Sequence, residues 1–106
     1  LGLTDDPNVK IVISDAVDFI GKTKQQFDLI FVDLFSGDVI PKKTETEIFL
    51  RRIKAKLKEF GLVVFNRHYY QNHISEANIF LDKLKKIFND VSSKKILTNL
   101  LIFARR

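Results

Sequence analysis

Three short apolar runs mark the first two-thirds of the chain: VKIVI at 9–13, FDLIFVD at 27–33 and LVVFN at 62–66. Each is rich in branched or aromatic residues and too short for a helix, so each predicts a strand. The unbroken apolar centre of the second predicts burial on both of its faces. The intervening segments follow a helical period instead. Ser14 or Asp15 and Gly21 bracket a short helix. In TETEIFLRRIKAKLKEFG, Phe49, Ile53, Leu57 and Phe60 recur at helical spacing. Thr44 and Glu47 there make a capping box, and Gly61 supplies a left-handed stop. Ile74, Ala77, Leu81, Leu84 and Phe88 predict a further amphipathic helix. Strands around Lys94–Leu97 and Leu100–Ala104 follow, with Thr98 and Asn99 as a tight turn.

This alternation predicts an α/β fold, a mostly parallel sheet flanked by helices. The last two strands have a short connection and must be antiparallel, because a parallel return needs a crossover. No repeat, low-complexity tract or linker divides the 106 residues, which suits a single domain over 1–106. With no cysteine there is no disulfide, thiolate metal site or cysteine nucleophile. No apolar run approaches the roughly 20 residues of a membrane span. The N-terminus lacks the basic-then-apolar layout of a signal peptide, so a cytoplasmic protein is expected. The net charge of +5 invites a nucleic-acid reading. Most lysines and arginines, however, lie in RRIKAKLKE and LDKLKK opposite the apolar positions, as a solvated basic face would place them.

In open α/β sheets, ligands bind beyond the carboxyl ends of the strands. Three polar segments reach that edge: Ser14–Ala16, Asp33–Asp38 and Asn66–Tyr70. Asp15 suits either a helix cap or a ligand contact. Asp33 follows a doubly buried run, a position that favours function over strand punctuation. Asp38, before Val-Ile-Pro, fits turn chemistry. His68 and His73 flank a Tyr-Tyr pair without the partner set of a metal site, so no metal is expected. Neither a nucleophile elbow nor a P-loop is present, and no glycine-rich strand–helix turn cradles a phosphate.

NVKIVISDAVDFI, FDLIFVDLFSGDVIP and FLRRIKAKLKEFGLVVFN together resemble the second half of the spermidine synthase (polyamine aminopropyltransferase) family, most firmly over residues 7–65. The resemblance implies a Rossmann-like, methyltransferase-type sheet, incomplete relative to the family fold, with this chain as the C-terminal portion of a catalytic domain. It implies aminopropyl transfer from decarboxylated S-adenosylmethionine to a small-molecule amine, in polyamine biosynthesis. Asp15 and Ala16 match the acid–small pair that binds the adenine of the cosubstrate. Asp33 matches the first acid of D-x-x-D-P, which accepts a proton from the attacking amine. The second acid of that motif falls at Ser36, with Asp38 two residues later, and these two are the candidate substrate-binding positions. Asn66 or a neighbour stands where the family often has glutamine.

The family's glycine-rich loop would precede residue 1, so the chain is expected to be inactive by itself. In the family strand order 3-2-1-4-5-7-6 the present strands are the third to seventh. The resulting gap predicts one of three outcomes: direct pairing of VKIVI with FDLIFVD, a homo-oligomer formed through those edges, or dependence on a missing N-terminal portion. Two other functions compete. One is a methyltransferase using S-adenosylmethionine itself, which Ser36 favours. The other is a non-catalytic basic α/β interaction module, with nucleic acid among its possible partners.

Overall fold

The computed structural model describes residues 8–13, 24–34 and 45–106. Along them run β1 (Val9–Ile13), β2 (Phe27–Asp33), α1 (Glu47–Ala55), β3 (Leu57–His68), α2 (His73–Ile87), β4 (Asp90–Ile96) and β5 (Asn99–Arg105). The strands form one sheet in the order β1-β2-β3-β5-β4. Pairing is parallel between β1, β2 and β3, and antiparallel from β3 to β5 and from β5 to β4. This is the mixed sheet expected, with its antiparallel pair at the C-terminal side. β1 pairs directly with β2, from Val9 opposite Leu29 to Ile13 opposite Asp33. The direct pairing of VKIVI with FDLIFVD, one of the three outcomes expected, is therefore observed. The helix expected after Ser14 and the loop around Gly37 and Pro41 lie outside the described residues.

Both described helices contribute to one core, and it is built on alternate strand residues. Ile30 and Val32 of β2, Val63 and Phe65 of β3, and Ile102 and Ala104 of β5 are fully buried. They share a cluster with Phe49, Leu50 and Ile53 of α1 and with Ala77, Phe80 and Leu84 of α2. The Phe65 and Phe80 rings meet edge-on at 5.3 Å, a favourable aromatic geometry. Strand side chains alternate between faces, and the other face is less covered. Leu29, Phe31, Leu62, Leu101 and Phe103 are only half-buried. Equal burial on the two faces of β2 is thus not observed, because the described helices supply cover on one side.

Helix α1 differs from its predicted form at both ends. The Thr46 hydroxyl, not that of Thr44, caps it by accepting from the Phe49 N–H at 3.2 Å. Thr44 lies outside the described residues. Glu47 pairs with Arg51 at 2.8 Å, one turn on. The helix stops at Ala55, and Leu57, fully buried, enters the core from a strand. Leu57 opposes Phe27, and the next β2 partner, Leu29, opposes Leu62. The extra β3 residues between those pairs form a tight irregularity that tertiary packing favours over another helical turn. Its left-handed residue is Phe60 (φ 63°), which is 80% exposed, and not Gly61. Gly61 is needed for a different reason: a Cβ there would lie 2.8 Å from the Lys58 carbonyl oxygen.

On α2, Ala77, Phe80, Leu84 and Ile87 form the buried stripe, while Ile74 stays 36% exposed. The terminal hairpin turns at Leu97–Thr98, one residue earlier than predicted, since Ile96 pairs with Asn99. Leu97 takes a positive φ of 55°.

Candidate functional site

The carboxyl ends of β1, β2 and β3 converge at one edge of the sheet. There Ile13, Asp33 and Asn66 form a lateral row, since Asp33 is in register with both neighbours. The Leu34 N–H donates to the Asn66 carbonyl at 3.0 Å, which extends the pairing past Asp33 and fixes its backbone. Asp33 itself is half-buried. Asn66, in the same row, keeps a buried Oδ1 with no hydrogen-bond partner among the described residues. An acid and an unsatisfied amide oxygen side by side make an acceptor-rich site suited to a cation carrying several N–H groups.

One step further along β3, the row continues on the same face. His68, 8% exposed, opposes Asn99 of β5, and Asn99 opposes Ile96 of β4. The His68 ring meets Tyr70 edge-on at 5.4 Å and His73 at 5.5 Å, and Tyr70 lies 5.2 Å from His73. The hairpin turn is held against this cluster by the Tyr69 N–H, which donates to the Thr98 carbonyl at 2.8 Å. The Tyr69 hydroxyl donates to Asn78 Oδ1 at 3.1 Å.

Arg67 points the other way, into the helix-covered face, and is fully buried. Its Nη1 donates to Glu45 Oε1 at 2.9 Å, and its guanidinium lies 5.2 Å from the centre of the Phe80 ring. The Lys83 ammonium donates to the Glu45 carbonyl at 2.6 Å. Glu45 is therefore anchored by β3 and α2 together, just before α1 begins.

Of the residues singled out in the sequence, the structure describes Asp33, Asn66, His68 and His73, and brings them to one edge. Asp15, Ala16, Ser36 and Asp38 lie outside the described residues. Among the described residues, no three of His, Asp or Glu cluster as metal ligands. No described helix is long and apolar enough to cross a membrane. The pairing of Asn99 with His68, the exposed Leu97 and the Glu45–Arg67 ion pair were not read from the sequence. Their only signal is distance-independent: a polar residue within an apolar strand, or a hydrophobic one at a turn.

A cavity of about 570 Å³ lies at the opposite end of the sheet, lined by Lys54, Glu59, Phe60, Asn89 and Arg106. Its cations are engaged by backbone: Lys54 Nζ donates to the Ile87 carbonyl at 2.8 Å, and Arg106 Nη1 to the Leu57 carbonyl. Chemistry in this fold sits at the carboxyl edge, so size does not make this cavity the site.

Comparisons with known proteins bear on the family and the fold. The model of the spermine/spermidine synthase domain family matches residues 2–100. The polyamine aminopropyltransferase of Yersinia pestis is 32% identical over 91 residues, covering 86% of this chain and 31% of that relative. The chain thus spans about a third of the length of the curated relatives it matches. Among solved structures, spermidine synthase from Thermotoga maritima superposes with a TM-score of 0.68 at 23% identity, over 96% of this chain and 36% of that one. Human methyltransferase-like protein 13 superposes with a TM-score of 0.72 at 22% identity, over 90% and 48%. These structural likenesses establish the fold.

Proposed function

We propose a function on one premise: this chain belongs to the spermine/spermidine synthase domain family. In this reading it forms the amine-binding and proton-accepting part of an aminopropyltransferase, active in the cytoplasm as an intact protein. The observation that carries the reading is Asp33 at the carboxyl end of β2, held in register by β1 and β3 and next to Asn66.

An amine is protonated near neutral pH and has no lone pair to attack with. Asp33 binds the ammonium and accepts its proton, a role within reach of a positioned carboxylate. The freed nitrogen lone pair forms a bond to the aminopropyl methylene carbon attached to sulfur in decarboxylated S-adenosylmethionine. The carbon–sulfur bond breaks, its electron pair stays on sulfur, and neutral methylthioadenosine leaves. Holding nitrogen and carbon in line contributes the rest. Asp15 and Ala16 take the adenine end of the cosubstrate in this reading, and Ser36 and Asp38 lie on the acceptor side. No metal is required.

Ser36 supports a second reading, methyl transfer from S-adenosylmethionine, because a serine there gives a second ammonium no counter-charge. The test is Asp33→Asn in the purified protein, assayed for release of methylthioadenosine and of S-adenosylhomocysteine. The expected result is methylthioadenosine release that falls about 10²- to 10⁴-fold in the variant. Release of S-adenosylhomocysteine alone would establish methyl transfer instead, and an unchanged rate would remove Asp33 from the mechanism.

A further inference from the structure

We infer that Arg67 is a positioning residue for Asp33, acting with Glu45 through the end of the β2–β3 ladder; this inference rests on the amine-transfer reading above. The Arg67 side chain enters the helix-covered face, so any effect on Asp33 runs through the backbone. Just past the register pair Asp33–Asn66, the Leu34 N–H donates to the Asn66 carbonyl at 3.0 Å. Asp33 directly precedes that donor, and Arg67 directly follows that acceptor. Leu34 and Arg67 are next in register, and both are fully buried. Contacts that fix residue 67 therefore also fix the carbonyl that holds the chain at Asp33.

Three elements hold residue 67. Glu45 Oε1 accepts from its Nη1 at 2.9 Å, the Phe80 ring of α2 lies 5.2 Å from its guanidinium carbon, and Leu100 of β5 is its cross-strand partner. Glu45 is held in turn, because its carbonyl accepts from Lys83 Nζ at 2.6 Å and the adjacent Thr46 caps α1. The end of β3 is thus tied to both described helices. For stability alone an ion pair is a poor choice here. Leu34, Phe65 and Phe80 belong to the apolar core cluster on this face. Burying two charges costs their hydration, and well-packed apolar side chains of similar volume often hold a core as firmly. Apolar packing does not supply direction, whereas a guanidinium–carboxylate contact is oriented at both ends. An oriented tie one residue from the Asp33–Asn66 row suits a site where a displacement of about 1 Å costs a large factor in rate.

The experiment compares the purified protein with the double variant Glu45→Gln/Arg67→Met, which removes both charges and strands neither. Its melting temperature is expected to stay within about 5 °C of the parent. Hydrogen exchange at the Leu34 amide should become about tenfold faster, with amides in the middle of β2 and β3 unchanged. Calorimetric titration by 1,4-diaminobutane, with methylthioadenosine present, should show about tenfold weaker binding, while methylthioadenosine itself binds as before. A purely structural role would instead lower the melting temperature and speed exchange across the sheet. Arg67→Lys, which keeps the charge and loses the planar fork, is expected to show the same two changes to a lesser degree. That variant carries the test where the double variant does not fold. Unchanged diamine binding in these variants, with binding still lost in Asp33→Asn, would overturn the positioning role and keep the amine-transfer reading. A parent protein that binds no diamine, or binds it regardless of Asp33, would overturn both.

Discussion

The two faces of β3 serve opposite ends. Val63, Phe65 and Arg67 point into the helix-covered side and are fully buried, whereas on the other side Leu62 and Asn66 are half-buried and Val64 and His68 keep 7% and 8% exposure. Packing is thus densest on one face, and the candidate residues Asp33, Asn66 and His68 lie on the other. Even the buried charge obeys this division. Arg67 is one residue from the candidate site, yet it anchors α1 through Glu45 and has no part in the acid row. A strand delivers this separation without special machinery, because consecutive side chains alternate sides.

Three substitutions probe the contrast. Glu45→Gln leaves the fully buried Arg67 guanidinium without its counter-charge and should destabilise by about 3 kcal/mol, read by urea unfolding; a loss below about 1 kcal/mol would show that the anchor is dispensable. Ile102→Ala, on the covered face, should cost about 2–4 kcal/mol, against about 1 kcal/mol for its half-buried neighbour Leu101→Ala. Equal losses would mean that the two faces are packed alike in solution. Phe60→Gly lies outside both faces and should stabilise slightly, by about 0.5 kcal/mol, because relief of the left-handed strain outweighs the added chain entropy. Thermal melting that moves downward would show that the exposed ring has a packing partner.

The strands and their parallel order could be read from the sequence because VKIVI, FDLIFVD and LVVFN are bounded apolar runs with little competing periodicity. The boundary of α1 could not. Leu57 and Phe60 continue the helical spacing of Phe49 and Ile53, and only the pairing of Leu57 with Phe27 draws the chain into a strand early. The cap moved for a similar reason, since Thr44 and Thr46 offer the same hydroxyl two residues apart and local pattern does not choose between them. Asp33 was legible as a candidate because ligands in this architecture bind beyond the strand ends. The His68–Asn99 row and the Leu97 tip were not, since both depend on the β3–β5 register, which joins residues about thirty positions apart in the chain.

The two ties that flank the segment after Asp33 have a consequence for stability. Leu34 is bonded to Asn66 and Glu45 to Arg67, so the segment leaves and returns at consecutive residues of one strand. A segment whose two ends are tied to one strand transmits little of its length to the scaffold, since closure entropy rises only with the logarithm of length. A change in the length of chain between Leu34 and Glu45 should therefore cost the sheet little stability.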